Sequence, residues 1–353
     1  MNSVITGTGV YIPKTIKKNS DFLKEEFYSE KRESIPSSNE IIIEKFKGIT
    51  GIEERRYLEP ELQNSDAAAI ASKIAIEDAN IDPEEIDQII FGHNFGDIRH
   101  NDNQSDMLPS LASRVKHLLR IKNPNCVAYD VIFGCPGWVQ GLIQADNFIK
   151  AGVAKKCLVI GAETLARVVD PHDRDSMIYS DGAGACILEK GNDSKKGILS
   201  FAAQSFTYSE ANYLFFGESN KIISNINTRY IKMYGRKIYE FSLNNVPNAM
   251  KLALEKSGLP VEKIKKILIH QANEKMDEAI INRFYRLYKT PVPEGIMPMS
   301  IQKLGNSSVA TVPTLLDLIL KNNLEGHQIN KGDAIMLASV GAGMNINAMV
   351  YQY

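Results

Sequence analysis

The sequence predicts an α/β fold built from two related halves, and three observations carry that prediction. Apolar strand segments alternate with helix-period segments, the same order of elements occurs twice, and each round ends in a glycine-rich segment that runs into a strand. In the first round a helix over residues 67–79 leads through IDPEEIDQIIFG to a strand ending at Gly92. In the second a helix over residues 249–256 leads through LPVEKIKKILIH to a strand ending at His270. Ile86, Ile89 and Ile90 thereby correspond to Ile264, Ile267 and Leu268 without a gap. Further on, Gly134-Cys135 opening one helix answers to Gly305-Asn306 opening SSVATVPTLLDLIL, and DGAGACILEK from Asp181 echoes VGAGMNINAMV from Val340. The expected organisation is two halves, 1–190 and 197–353, packed about a pseudo-twofold axis. Their sheets should be mixed, largely parallel and covered by helices on both faces.

The segment VAYDVIFGCPG, from Val127, is an apolar strand that meets a helix through a Gly-Cys-Pro turn. Gly134 permits a tight turn, Pro136 suits the first helical position, and Trp138, Leu142, Ile143 and Ile149 recur at helical spacing. Cys135 is thus presented at a helix start, where the positive end of the helix dipole favours the thiolate, the form that attacks. The repeat brings Asn306 to the matching helix start and His270 to a strand end in the same layer. Alone, His270 reads as a core or surface histidine and Asn306 as a helix cap; together with Cys135 they read as a site.

Composition limits the alternatives. A chain of 353 residues with 44% hydrophobic content can bury a large core, and 41 basic against 42 acidic residues leave no global field for nucleic acid or an anionic membrane. The first residues, MNSVITGTGVYIP, lack the basic and apolar regions of a secretory signal, and no apolar run reaches the roughly 18 residues of a membrane helix. A cytoplasmic protein is expected. Cys126, Cys157 and Cys186 fall in or beside apolar strands and read as packed side chains; no CxxC pair or histidine cluster points to a disulfide or metal.

Taken together, these segments resemble β-ketoacyl-acyl-carrier-protein synthase III, a family of condensing enzymes. GTGVYIP, TGIEERR, DVIFGCPGWVQGL, GAETLARVVDPHDRD, YSDGAGACIL, HQANEKM, LGNSSVATVP and VGAGMN fall in the family's order almost end to end. The resemblance implies a thiolase-like fold and an acyltransferase with Cys135, His270 and Asn306 as the catalytic set. Cys135 would take the acyl group of a primer thioester. A malonyl-acyl-carrier-protein would then lose CO2 and attack the acyl-cysteine, giving a β-ketoacyl thioester for fatty-acid or secondary-metabolite synthesis. An imidazole N–H and an amide NH2 suit the developing enolate oxygen. Backbone N–H groups of Cys135 and of the Gly341-Ala342-Gly343 turn, assigned to Gly341 and Gly343, would hold the acyl carbonyl. No metal or resident cofactor is implied, since phosphopantetheine arrives on the substrate. The implied partners are acyl carrier protein, an acyl-CoA or acyl-carrier-protein primer, and a second copy in a homodimer.

Two related families are separated by what this chain lacks. No cysteine follows Cys186 to serve as a thiolase's second cysteine, and Asn306 stands where elongating synthases carry a second histidine. Acyl transfer to oxygen or nitrogen, and a silent partner role, are the alternatives. Lys45 and Ile49 stand where acetyl-CoA users carry a Trp and an Arg that clamp the CoA adenine. The polar stretch of residues 24–43 reads as an insertion bordering the entrance, and residues 92–107 are unusually polar; both departures point to a specialised primer. Lys232, Arg236 and Lys237 precede one helix, and Lys275, Arg283 and Arg286 follow HQAN. Arg236, Lys237, Lys275 and Arg283 are the expected docking cations for an acidic carrier protein. His93 and His172 are expected bystanders, the loop around His172 lining the acyl site or a dimer contact by resemblance.

Overall fold

The computed structural model describes residues 2–193, 195–222 and 227–353. The first half runs β1 (Ser3–Tyr11), β2 (Thr15–Lys18), α1 (Asn39–Thr50), β3 (Glu54–Tyr57), α2 (Asn64–Ala79), β4 (Gln88–Gly92), α3 (Leu111–Leu118), β5 (Val127–Val131), α4 (Gly137–Lys150), β6 (Lys156–Thr164) and β7 (Asp181–Lys190). The second runs β8 (Gly197–Ser205), β9 (Leu214–Gly217), β10 (Tyr230–Met233), α5 (Gly235–Ser257), β11 (Ile264–Ile269), α6 (Glu274–Leu287), α7 (Ile301–Leu304), α8 (Thr311–Leu320), β12 (Ala334–Gly341) and β13 (Asn345–Gln352).

Two sheets carry the repeat. One has the strand order β1-β7-β6-β4-β5 and the other β8-β13-β12-β11, so the second reproduces the first strand for strand apart from β5. Pair senses agree as well: β1–β7 and β8–β13 are antiparallel, β6–β7 and β12–β13 antiparallel, β4–β6 and β11–β12 parallel. The sheets are mixed, but the expectation that they are largely parallel is corrected, because β4–β5 is the one further parallel pair. The reason is connectivity. β13 returns along β12 through the short turn Ala342–Met344, and a direct return is antiparallel; parallel neighbours need a crossover helix.

The sheets share one layer of helices. Trp138, Leu142 and Ile149 of α4 and Leu315, Leu316 and Ile319 of α8 pack between Ile90, Val159 and Leu188 of one sheet and Leu268, Leu337 and Met349 of the other. α2 and α3 cover the outer face of the first sheet, and α5 and α6 that of the second. Each fully buried leucine or isoleucine contributes about 1.5–3 kcal/mol, so this shared layer holds the two helix starts rigidly relative to each other. A fourth cluster, including Phe22, Phe27, Ile42, Phe46, Leu165 and Ile178, packs the inserted stretch against the loop after β6.

Two helices differ from the sequence expectation. α5 begins at Gly235 rather than near residue 249 and contains Pro247, whose presence in a helix interior ordinarily signals a break. α4 begins at Gly137, with Pro136 in the N-cap position rather than the first turn.

Candidate active site

Gly134 makes the turn that presents Cys135: its φ is +68°, and a Cβ there would stand 2.6 Å from the backbone nitrogen of Ala342. Gly341 meets the cysteine from the other half, since a Cβ at that position would lie 2.4 Å from the Cys135 nitrogen. The glycine-rich turn of the second half is thus folded directly onto the helix start of the first. Gly341 and Ala342 line the cavity around the cysteine, whereas Gly343, its expected companion, is not among the lining residues.

Cys135, His270 and Asn306 line one cavity of about 640 Å³. The Asn306 Oδ1 accepts a hydrogen bond of 2.8 Å from the Ser308 backbone N–H, which leaves the amide NH2 as the end free to donate. His270, at the end of β11, is 3% exposed, and its Nδ1 is buried without a hydrogen-bond partner. Burial lowers its pKa to about 4, against a smaller upward pull from the Ser308 backbone, so at neutral pH the ring is an uncharged donor with one N–H.

Burial has the opposite effect on the cysteine. It pushes the Cys135 thiol up to about 12, with the Ser308 hydroxyl pulling down and Glu163 adding to the rise. Burial thus opposes the pull of the helix start towards the thiolate. A helix N-terminus is worth at most about 2 kcal/mol, roughly one and a half pH units, in the opposite direction.

The sequence reading missed Ser308, Asn94 and Glu163. Ser308 Oγ donates to Cys135 Sγ at 3.1 Å; Asn94 Nδ2 donates to Ser308 Oγ at 3.2 Å and also to Glu163 Oε1. Glu163 is 1% exposed, and burial raises its pKa well above the carboxylate range. The second serine of LGNSS was the available signal for Ser308. Nothing in the sequence pairs Asn94 or Glu163 with the cysteine.

Two family models match the chain: 3-oxoacyl-[acyl-carrier-protein (ACP)] synthase III over residues 129–206 and the C-terminal model of the same synthase over residues 254–353. Over 354 residues the chain is 32% identical to the β-ketoacyl-[acyl-carrier-protein] synthase III of Aquifex aeolicus (strain VF5), covering 100% of each. The chain belongs to the 3-oxoacyl-[acyl-carrier-protein] synthase III family. The crystal structure of 3-oxoacyl-[acyl-carrier-protein] synthase III from Aquifex aeolicus VF5 superimposes with a TM-score of 0.82 at 30% identity, covering 99% of this chain and 100% of that one. The priming β-ketosynthase from the R1128 polyketide biosynthetic pathway shares the fold, with a TM-score of 0.82 at 24% identity over 99% of this chain and 96% of that one. The architecture is the thiolase-like one that the resemblance implied.

The remaining sequence-picked residues divide by place. Lys45, Ile49 and Arg236 line the cavity, as do Ile35, Ser37 and Ile42 of the inserted stretch. The Arg236 side chain is 91% exposed and pairs with Glu240 at 2.9 Å. Lys237 Nζ lies over the rings of Tyr234 and Tyr213, and Lys275 is exposed on the first turn of α6. Arg283 donates to the Leu243 carbonyl and to Asn244 Oδ1, tying α6 to α5. Lys232 is buried and bonded to Asp170, Asp173 and Asn220, which removes it from the expected basic patch. His93 is fully buried, accepting from the Gly96 N–H and lying 3.0 Å from the Asp130 carboxylate. His172 lies outside the cavity, whereas Arg174 and Asp175 of the same loop line it. Cys126, Cys157 and Cys186 are buried and free. Among the described residues no helix is long and apolar enough to cross a membrane.

Proposed function

We propose that this chain catalyses decarboxylative condensation of an acyl primer with a malonyl-acyl-carrier-protein, with Cys135, His270 and Asn306 as the catalytic set. The observation that carries the reading is the convergence of these three side chains on one cavity, with the Asn306 amide oriented by Ser308 so that its NH2 faces outward. In the first step Cys135 Sγ bonds to the primer carbonyl carbon, the thioester bond to the carrier breaks, and the thiol proton leaves with the departing thiol. Exchange of one thioester for another is nearly balanced in energy, and the covalent acyl-enzyme splits one hard step into two. The backbone N–H of Cys135, with one from the Gly341-Ala342-Gly343 turn, of which Gly341 and Ala342 line the cavity, supplies the donors for the first oxyanion.

In the second step the bond between the malonyl methylene and its carboxylate breaks, CO2 leaves, and the electron pair passes into an enolate. Asn306 NH2 and the neutral His270 N–H stabilise the enolate oxygen as charge develops. The enolate carbon then bonds to the acyl carbonyl carbon, and Cys135 sulfur departs and regains a proton. Neither step calls for a metal or a resident cofactor; the phosphopantetheine belongs to the substrate.

The largely apolar lining, including Ile42, Phe46, Phe95, Leu165, Ile178 and Phe216, supports a hydrocarbon primer. The occupants of positions 45 and 49 favour delivery on carrier protein over CoA, because Lys45 offers the adenine no planar stacking surface and Ile49 offers a phosphate no charge. Arg236 at the cavity and Lys275 on α6 are the carrier-docking cations of this reading, with Lys237 beside them. Homodimerisation fits the open edge of the first sheet at β5, where Val127 and Ile132 are exposed. The test is intact-protein mass spectrometry with a panel of acyl-CoA and acyl-carrier-protein thioesters, before and after malonyl carrier protein is added. The expected result is an adduct on Cys135 that only the malonyl thioester discharges, with CO2 released. Discharge by an amine or alcohol instead would make the protein an acyltransferase of another kind.

A further inference from the structure

We infer that Ser308 is a further catalytic residue, whose hydroxyl stabilises the charged sulfur of Cys135, and that Asn94 and Glu163 are positioning residues that aim it. The inference rests on Cys135 being the acylated nucleophile. Hydrogen-bond direction makes the case. Asn94 has two N–H donors on one nitrogen: one goes to Glu163 Oε1 and the other to Ser308 Oγ at 3.2 Å. With its oxygen already accepting, the Ser308 hydroxyl directs its own proton to Cys135 Sγ, 3.1 Å away. With Glu163 Oε1 as an acceptor, reversal of this chain would set the Asn94 amide oxygen against it and leave both without a donor, which costs about 1–3 kcal/mol.

The backbone supports the same reading. Ser308 holds φ +52°, a left-handed conformation that a serine adopts only under constraint, and such strain collects at functional sites. In that conformation one residue performs two tasks: its N–H fixes the Asn306 amide and its hydroxyl meets the cysteine. Glu163, Tyr179 and His270 are titratable groups near the sulfur, and burial favours the neutral form of each. Among the described residues no cation is hydrogen-bonded to Cys135, so the Ser308 hydroxyl dipole is the side-chain group placed to oppose the cost of charging it. Hydrogen bonds to charged groups are the stronger kind. As the thiol ionises, the Ser308 bond strengthens; once the sulfur is acylated, that bond weakens again.

The test reads the sulfur directly and needs no acyl donor. The rate of Cys135 alkylation by iodoacetamide is followed against pH by peptide mass spectrometry, with thermal unfolding recorded for every variant. Ser308→Gly removes the hydroxyl while suiting the left-handed backbone, and it should slow alkylation at pH 8 by about tenfold and move the profile to higher pH. Asn94→Ala should shift it in the same direction by less. Glu163→Gln keeps an acceptor for Asn94 and removes the carboxyl that adds to the rise of the thiol, so it should not slow alkylation, whereas Glu163→Ala should follow Asn94→Ala. A Ser308→Gly profile that superimposes on that of the parent, in a folded protein, would overturn the role of Ser308. Equal slowing by Glu163→Gln and Glu163→Ala would overturn the positioning role of the carboxyl. Failure of the parent to form any acyl adduct would count against the proposed function instead, and that outcome is read separately.

Discussion

The two halves begin their central helices in matching ways and use them differently. Gly134 and Gly305 both hold positive φ, +68° and +62°, and each is followed by the polar residue that lines the cavity, Cys135 in one half and Asn306 in the other. After Cys135 the chain enters α4 within two residues. After Asn306 it first makes the short helical turn Ser308–Ala310 and enters α8 only at Thr311. That extra turn supplies the Ser308 N–H to Asn306 and the Ser308 hydroxyl to Cys135. In the proposed reaction one half therefore presents the nucleophile and the other presents donors, and the donor half carries the additional backbone that aims them.

Breaking the donor half should have the largest effect. Asn306→Ala removes one oriented donor from the enolate and should lower condensation about 10²–10³-fold in kcat, the scale seen when one oxyanion donor is lost, with the Cys135 acyl adduct still formed. Steady-state release of CO2 from malonyl carrier protein, beside adduct mass, checks this. A smaller effect sharpens the electrostatic side of the comparison. The unfolded chain protonates His270 near pH 6.5, but the folded chain does so only at about 4. Folded stability is therefore lost as pH falls from about 6.5 towards 4, by up to about 3 kcal/mol relative to His270→Gln, which has no such proton to bind. Urea unfolding of both proteins across that range measures it, and parallel pH dependences would contradict it. The smallest effect concerns approach rather than chemistry. Arg236→Glu should raise KM for malonyl carrier protein several-fold, more so at low salt, and leave acylation by a small thioester unchanged. Arg283→Glu should instead lower stability, because Arg283 ties α6 to α5.

What the sequence revealed follows from what is periodic or local. The repeat predicted the same order of elements in both halves, which the second sheet shares with the first, and 3.6-residue spacing of Trp138, Leu142 and Ile149 predicted the buried face of α4. Pro247 hid the first half of α5, since local backbone rules read it as a break while burial against the second sheet keeps the helix whole. The sense of strand pairing was misread because periodicity reports faces, not directions. At the site, Cys135, His270 and Asn306 were visible through the repeat and the family resemblance. Asn94 and Glu163 were not, because their relation to the cysteine exists only after β4, β6 and the Ser308 turn have come together.

The most direct test of the division of labour between the halves is a paired measurement on Cys135→Ala and Asn306→Ala, scoring acyl-adduct formation and CO2 release from malonyl carrier protein for each. The account predicts that Cys135→Ala forms no adduct yet still releases CO2, and that Asn306→Ala forms the adduct while CO2 release falls about 10²-fold or more. Loss of both activities in both folded variants would show that the two helix starts act as one indivisible unit and would contradict it.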